Sequence, residues 1–271
     1  MARLRLAARK ILPPILADSL RALTQRHRPG VRTWHQVGAG LLRGCWLEVD
    51  PADSWAQKML DSSYEPAVAS ALASLVQPGW VCLDVGAHVG YYSMVMARLT
   101  GPAGHVHAFE PHPNNQKVVV RHLERNALTS VVHLHSIALG NADGKRVFRG
   151  TKGPDKSMEG YVEGMRNLTL PGMQKFYEDF VEHIVEQRRL DGTVDRGEVP
   201  SPNLLKIDVE GAEVAVLEGT RDTLQSSRPI VLAELHTAAT AVQCVNILKD
   251  CGYSVRVLND PVGRACKVLA R

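Results

Sequence analysis

The sequence predicts an α/β fold in which helices flank a mostly parallel β-sheet. Short apolar segments alternate with longer stretches of helical periodicity, which is typical of βαβ units. Three of the apolar segments end in carboxylates, at Asp84, Glu110 and Asp208, and a Gly-x-x-x-Gly turn from Gly86 to Gly90 follows the first. Ligands of open α/β sheets bind beyond the carboxyl ends of the strands. These residues therefore predict a ligand site along one edge of the sheet.

Composition and cysteine usage favour a soluble cytoplasmic protein. The 271 residues are 45% hydrophobic and 22% charged, which is ordinary for a globular domain. No segment approaches the roughly 18 apolar residues of a membrane span. The five cysteines form no Cys-x-x-Cys pair and are odd in number, which argues against a disulfide framework or a zinc site. The N-terminal apolar stretch is split by Pro13-Pro14, so a secretory signal is not expected.

The positive charge is concentrated at the N-terminus. Residues 1–30 carry a net charge of +6, against +4 for the whole chain, so the remainder is slightly acidic and a nucleic-acid partner is not expected. Basic and aliphatic residues alternate here, which predicts a basic amphipathic extension over residues 1–48 and a main domain over 49–271. Two interpretations of residues 1–30 stay open. They contact the inner membrane surface peripherally, or they pack on the domain or fray.

Two elements are predicted ahead of the main sheet. The segments 31–34 and 41–49 are separated by glycines and predict a β-hairpin. A helical pattern follows, in which Pro66 suits the first turn and Pro78-Gly79 ends the helix.

The first two strands of the sheet carry the strongest ligand signal. Gly86 and Gly90 permit a positive φ and close approach of a ligand, and the helix that begins near Gly90 offers unpaired N–H groups. Glu110 follows Gly86 by 24 residues, where ribose hydroxyls are usually held. The middle glycine of a dinucleotide fingerprint is missing, and Asp84 would repel a phosphate. The pattern therefore favours a cationic nucleoside, and S-adenosylmethionine has this chemistry.

The middle of the chain supplies a helix, a third strand and a long insertion. A helix is predicted over 114–126 and a strand over 131–139, whose end at Ser136 to Ala138 would flank an adenine. Residues 140–203 form an insertion on the substrate side, with a helix between Met165 and Ile184, and we expect it to determine acceptor specificity. Histidines are frequent, but their spacing matches no metal signature, at positions 88, 105, 107, 112, 133 and 135.

Further acidic groups are expected at the same sheet edge. The fourth strand ends at Asp208 and is followed by Glu210 and Glu213. Three carboxylates this close are costly unless they bind a cation, hydrogen-bond donors or one another. Glu213 is predicted to stabilise the N-terminus of the next helix.

The remaining elements complete the sheet. A fifth strand over 230–236 ends in Glu234 and His236. A helix is predicted over 239–250, and the segments 253–258 and 264–269 are spaced like an antiparallel hairpin.

Three motifs together resemble the FkbM family of S-adenosylmethionine-dependent methyltransferases. They are Asp84-Val-Gly-Ala-His-Val-Gly-Tyr-Tyr-Ser, Phe109-Glu-Pro and Leu205-Lys-Ile-Asp-Val-Glu-Gly-Ala-Glu, and the match covers residues 60–271. The resemblance implies an α/β, Rossmann-like class I methyltransferase fold, with a seven-stranded, mostly parallel sheet of order 3-2-1-4-5-7-6 and an antiparallel C-terminal hairpin strand. It also implies methyl transfer, usually to oxygen, and a small molecule or glycan as acceptor.

The resemblance and the strand ends together predict the cofactor-binding residues. FkbM-like sequences often carry a Tyr-Glu pair where Tyr64 stands, although a packed ring is an equal alternative for this tyrosine. The predicted set is Tyr64, Asp84, Gly86, Ala87, His88, Gly90, Tyr92, Glu110, Pro111, Ser136, Ala138 and Asp208.

Catalysis is expected to depend on orientation and on removal of one proton. In-line displacement needs no nucleophilic side chain, but a hydroxyl acceptor must be deprotonated. The candidate proton acceptors are Asp208, Glu210, Glu234 and His236, and a neutral histidine has the pKa nearest to 7. No metal site is predicted, although a divalent ion on these carboxylates stays an alternative.

Two other functions stay open. A nicotinamide-dependent Rossmann oxidoreductase shares the glycine turn, but the missing glycine and the lack of a Tyr-x-x-x-Lys pair disfavour it. A non-catalytic cofactor-binding protein would be excluded only by an activity assay.

Overall fold

The structure is a computed structural model that describes residues 31–151, 160–163, 180–258 and 266–271. Residues 1–30 of the predicted extension lie outside these ranges. The compact unit spans residues 32–271, so the remainder of the predicted extension belongs to it, and the predicted boundary between residues 48 and 49 falls inside a strand. Within the described ranges, every helix is too short or too polar to cross a bilayer.

Strands and helices alternate along much of the chain, as predicted, but five of the described strands follow one another between the helices Pro113–Arg125 and Leu190–Asp195. The strands are β1 Thr33–Gln36, β2 Trp46–Val49, β3 Val81–Val85, β4 His105–Phe109, β5 Val132–His135, β6 Ala138–Leu139, β7 Gly144–Thr151, β8 Gly160–Val162, β9 Phe180–Arg188, β10 Leu204–Ile207, β11 Ile230–Leu235, β12 Val255–Val257 and β13 Cys266–Ala270. The helices are α1 Ser54–Asp61, α2 Pro66–Leu75, α3 Tyr91–Thr100, α4 Pro113–Arg125, α5 Leu190–Asp195, α6 Glu213–Glu218, α7 Arg221–Ser226 and α8 Ala238–Asp250.

The main sheet has seven strands in the order β12-β13-β11-β10-β3-β4-β5. Five neighbouring strands of this sheet are parallel to one another, namely β11, β10, β3, β4 and β5. Strand β13 pairs antiparallel with both β11 and β12. When the seven strands are numbered along the chain, this order is 3-2-1-4-5-7-6, and the prediction is confirmed.

Alternate residues of the central strands pack on opposite faces of this sheet. Cys82 and Leu204 belong to the hydrophobic core on one face, and Leu83 and Leu205 belong to the core on the other. Because both faces are covered, the strands are apolar almost throughout, and the buried Lys206 in β10 is an exception.

The predicted N-terminal hairpin is present, and His122 connects it to the glycine turn by hydrogen bonds. β1 and β2 pair antiparallel. The imidazole of His122 in α4 is fully buried; its Nε2 accepts the N–H of Glu48 at 2.8 Å, and its Nδ1 donates to the carbonyl of Val89 at 2.8 Å. One neutral histidine therefore joins the hairpin, α4 and the turn after β3.

The insertion differs from its prediction in two places. It folds as a second sheet of order β6-β9-β7-β8. The helix expected between Met165 and Ile184 is wrong for its last residues, because Phe180–Arg188 forms β9 and pairs antiparallel with β7; residues 164–179 lie outside the described ranges. The third strand also ends early, at His135, because Ala138 and Leu139 leave the main sheet and pair with β9.

Candidate active site

A cavity of about 230 Å³ opens where β3, β4 and β10 end. It lies at the edge of the sheet that the strand-end carboxylates predicted. Of the residues predicted for the site, the cavity is lined by Tyr64, Gly86, Ala87, His88, Tyr92, Glu110, Pro111, Ala138, Asp208 and Glu210. Five predicted residues are not among those that line this cavity: Asp84, Gly90, Ser136, Glu234 and His236.

The glycine turn is shaped by contacts within the protein. Gly86 has φ +82°, and a Cβ at this position would overlap the carbonyl oxygen of Asp208, so only glycine lets β3 and β10 approach here. The N–H groups of Gly86 and Ala87 both donate to the carbonyl of Phe109 at 3.0 Å. Both amides therefore hold the turn against the end of β4. Gly90 lies behind the cavity as the left-handed N-cap of α3.

Glu110 is held in place by the turn and by the start of α4. Its Oε2 accepts the N–H of His88 at 2.7 Å, and its Oε1 accepts the N–H of His112 at 2.8 Å and the amide of Asn115 at 3.2 Å. Burial raises the pKa of this carboxyl to about 7, although the three hydrogen bonds oppose the shift. Glu110 is therefore a rigid acceptor that neutral donors orient.

Asp84 does not face the cavity. Its carboxylate is fully buried, accepts the hydroxyl of Ser93 at 2.6 Å and lies 3.2 Å from the ammonium of Lys206. That ammonium also lies 3.6 Å from Asp208 and 5.1 Å from the ring centre of Tyr92. Burial disfavours the charge on Lys206, but Asp84 and Asp208 outweigh burial and raise its pKa above the usual range. The predicted contact of Asp84 with cofactor is thus replaced by a buried ion pair.

The imidazole of His236 lies among the acidic side chains that follow β10. His236 Nε2 lies 3.7 Å from Asp208 and 3.6 Å from Glu210, and its Nδ1 is 2.5 Å from Oε1 of the buried Glu213. Burial opposes charge on this imidazole, but the bond to Glu213 and the nearby carboxylates raise its pKa to about 9. His236 is therefore a cation at neutral pH. Glu213 also accepts the N–H of Gly211 at 2.9 Å, beside the start of α6.

Glu234 belongs to a second group of charges behind Asp208. It faces a separate small cavity, where the buried ammonium of Lys267 lies 3.2 Å from Glu234 and 3.3 Å from Glu65. Burial, together with the charges of Asp208 and Glu65, raises the pKa of Glu234 to about 8. The raised pKa makes this carboxyl hold its proton more strongly, which disfavours Glu234 as the base among the four candidates.

The backbone is left-handed at three non-glycine residues around the site. The φ angles are +41° at Glu65, +53° at His88 and +52° at Glu210. Such conformations cost about 1–3 kcal/mol each and cluster where the surrounding structure must place a side chain. Each of these residues lines one of the two cavities.

Comparison with known proteins identifies the family. The family model described as Methyltransferase FkbM domain matches residues 84–255. The chain belongs to the FkbM methyltransferase family. It is an S-adenosylmethionine-dependent methyltransferase, which sets aside the oxidoreductase alternative.

Several relatives of this FkbM methyltransferase are themselves named as methyltransferases. The 31-O-demethyl-FK506 methyltransferase FkbM of Streptomyces tacrolimicus is 33% identical over 69% of this chain and 77% of its own length. The hexuronic acid methyltransferase AglP of Haloferax volcanii is 28% identical over 65% of this chain and 64% of its own length. The 2-O-methyltransferase NoeI of Sinorhizobium fredii is 27% identical over 57% of this chain and 63% of its own length.

A solved structure has the same fold. The crystal structure of Methyltransferase FkbM from Methylobacillus flagellatus KT aligns with a TM-score of 0.50 and 17% identity. The alignment covers 81% of this chain and 55% of that one, so this chain spans about half the length of that protein.

The cavity residues fit S-adenosylmethionine. A carboxylate oxygen can accept two hydrogen bonds, so Oε2 of Glu110, which accepts one from His88, has capacity for a ribose hydroxyl. An apolar wall suited to adenine is formed by Val85, Ile137 and Leu139. Ser136, predicted for this wall, is exposed, because the chain breaks from the sheet there. When bound, S-adenosylmethionine supplies a methyl group made electrophilic by its sulfonium.

Several site residues were not predicted. Lys206 and Lys267 supply cations to the FkbM site, and their signal was a lysine within an apolar strand. Trp55 and Tyr91 add aromatic surface, and the insertion contributes Phe148 and Val162 to the lining. The Trp55 indole packs edge-on against His88, with ring centres 5.6 Å apart.

Two sets of three potential metal ligands share Asp208. They are Asp208, Glu210 and His236, and Glu65, Asp208 and Glu234, each with ligand atoms within 4.8 Å of one another. In both sets a protein cation already faces the carboxylates, namely the His236 imidazolium in the first and the Lys267 ammonium in the second. Protein cations therefore face the carboxylates of both sets.

Proposed function

We propose that this FkbM methyltransferase methylates a hydroxyl oxygen of a small molecule or glycan, and that Glu210 takes the hydroxyl proton. The supporting observation is that Asp208 and Glu210 line the cavity together beside a charged imidazole. Two relatives are named for oxygen positions, and AglP is named for a hexuronic acid, which is a sugar.

The surroundings of the four predicted bases favour Glu210. His236 and Glu234 carry protons at neutral pH, because their pKa values are raised to about 9 and about 8. Asp208 lies 3.6 Å from the Lys206 ammonium and 3.7 Å from the His236 imidazole, so two cationic groups already face its carboxylate. Glu210 Oε2 lies 3.6 Å from the imidazole, and the Glu210 side chain is 43% exposed. It can therefore reach a bound acceptor.

The chain contributes three effects to the proposed reaction. Glu110 would hold the ribose, and the cavity walls would exclude water from the methyl group. Glu210 would accept the hydroxyl proton as the carbon–oxygen bond forms and the carbon–sulfur bond of the sulfonium breaks, with a neutral thioether as the leaving group. His236 stabilises Asp208 and Glu210 as anions and is a positioning residue in this scheme. Contact of residues 1–30 with a membrane surface is proposed as a separate property.

The activity test uses labelled cofactor and mass spectrometry. Purified chain is incubated with isotopically labelled S-adenosylmethionine and either cell extract or a panel of hydroxylated acceptors that includes uronic acids and macrolide alcohols. The expected product gains one labelled methyl group on oxygen. A methyl ester or N-methyl product would contradict the proposed acceptor atom, and no labelled product from any source would favour a non-catalytic role.

The variant Glu210→Gln tests the assigned base. The amide keeps the size of the side chain but cannot accept the proton, so kcat should fall about 10²-fold or more, whereas calorimetry should show unchanged cofactor affinity. The exposed Glu124→Gln in α4 is the matched control and should leave both quantities unchanged. If Glu210→Gln instead weakened cofactor binding and kept kcat at saturating cofactor, Asp208 would replace it as the base.

A further inference from the structure

Four histidines form a ladder outside the cavity, on one face of the sheet where β4 meets β5. This histidine ladder consists of His105, His107, His133 and His135. The strands are parallel and His107 is opposite His133, so alternate residues of both strands project from the same face. Successive ring centres along the ladder are 5.5, 5.0 and 5.2 Å apart. Sequence spacing did not show this cluster, because it depends on the register of two strands.

Ring nitrogens of the ladder face each other in two pairs. His105 Nδ1 lies 3.2 Å from His133 Nε2, and His107 Nδ1 lies 2.9 Å from His135 Nε2. Bonds from zinc to imidazole nitrogen are about 2.0–2.1 Å long, so two nitrogens on one ion are about 3 Å apart. Both pairs already have the separation that a shared ion requires.

The two pairs differ in their access to solvent. His105 and His133 are exposed, so their rings can turn toward an ion and water can fill its remaining coordination positions. His107 is buried, and His135 stacks on Phe109 with ring centres 4.7 Å apart. The inner pair therefore anchors the ladder, and the outer pair is the part that an ion can reach.

We propose that His105 and His133 bind a divalent first-row transition-metal ion. Imidazole is a preferred ligand of Zn²⁺, Ni²⁺ and Cu²⁺. An ion held there joins β4 to β5, and the segment after β5 supplies Ile137, Ala138 and Leu139 to the cofactor cavity. The ion would therefore stabilise one wall of the active site without taking part in methyl transfer.

The test measures binding of zinc chloride to the full chain without an affinity tag. Titration calorimetry and thermal unfolding should show one ion bound at the ladder and a Tm that rises with ion concentration. The double variant His105→Gln/His133→Gln should lower this Zn²⁺ affinity roughly tenfold or more, because both protein ligands are lost. Its affinity for S-adenosylmethionine should equal that of the wild type, which shows that the variant is folded.

Two further variants distinguish the ladder from other sites. His35→Gln changes a histidine of β1 and should leave Zn²⁺ binding unchanged. Asp208→Asn removes the residue that both three-ligand sets of the cavity share, and the ladder ion should remain. The proposal is overturned if the wild type binds no zinc, if the double variant binds it equally well, or if Asp208→Asn alone removes the binding.

Discussion

The two ends of the active-site cavity hold their carboxylates by opposite means. At the β4 end, neutral donors surround Glu110: two backbone N–H groups and one amide. At the β10 end, Asp208 lies between the Lys206 ammonium and the His236 imidazole. Neutral donors orient an acceptor without cancelling its capacity to bind hydroxyls, whereas cations keep a crowded acidic cluster ionised. The first arrangement suits recognition of a ribose, and the second suits proton transfer.

The largest effect is expected from removal of the central cation. Lys206→Met leaves Asp84 buried without its ion pair, so the free energy of unfolding should fall by about 3–5 kcal/mol in urea denaturation. The double variant Asp84→Asn/Lys206→Met should recover most of that loss, and the exposed Lys249→Met in α8 should have little effect. If Lys206→Met lowered the free energy of unfolding only slightly, the stability of the β10 end would not depend on the Lys206 cation.

Two histidines, His122 behind the glycine turn and His236 at the β10 end, should make the stability depend on pH in opposite directions. Burial lowers the pKa of His122 to about 4, so its contribution to stability is complete above about pH 6.5 and is lost as pH falls toward 4. One pKa unit corresponds to about 1.4 kcal/mol, so the loss is roughly 3 kcal/mol. The pKa of His236 is raised to about 9, so its contribution is complete below about pH 6.5 and is lost as pH rises through 9.

Urea unfolding from pH 4.5 to 9.5 checks this pair of expectations. His122→Gln should flatten the acid side of the stability profile, and His236→Gln should flatten the alkaline side. The half-buried His35→Gln of β1 is the control for a general effect of histidine removal. Equal profiles for wild type and His122→Gln would show that the neutral histidine behind the glycine turn does not set the acid limit.

A smaller effect is expected from the ribose acceptor. Glu110→Ala removes a charged hydrogen-bond acceptor, so S-adenosylmethionine binding should weaken by about 1.5–3 kcal/mol in titration calorimetry. Glu210→Gln, at the other end, should leave that affinity unchanged. Similar losses in both variants would remove the distinction between a binding end and a reacting end.

The smallest effect on the cavity is expected from deletion of residues 1–30. Cofactor affinity and turnover of a water-soluble acceptor should stay at wild-type values, because the residues that line the cavity all follow residue 54. Salt-sensitive binding to anionic liposomes should be lost, since the deletion removes a net charge of +6. Equal liposome binding by both proteins would assign the segment a different role.

The sequence by itself determined the fold and much of the cofactor end. The positions of the strands along the chain, the glycine turn and Glu110 were predicted from local signals such as apolar runs, glycine positions and a residue that directly follows a strand. The order of the strands within the sheet followed from the family resemblance. The N-terminal hairpin and the helices α2, α4 and α8 were predicted for the same reason. Family motifs then linked these signals to S-adenosylmethionine.

Only the tertiary structure decided which partner each charged side chain has. Asp84 forms an ion pair with Lys206, Glu234 lies beside the ammonium of Lys267, and His236 is charged rather than neutral. These outcomes depend on strand register and burial, which bring together residues more than 20 positions apart. Ser136 was misplaced because pairing of β6 with β9 pulls the chain from the main sheet. Local pattern predicts where a strand ends, whereas the electrostatics at its end depends on what the neighbouring strands place there.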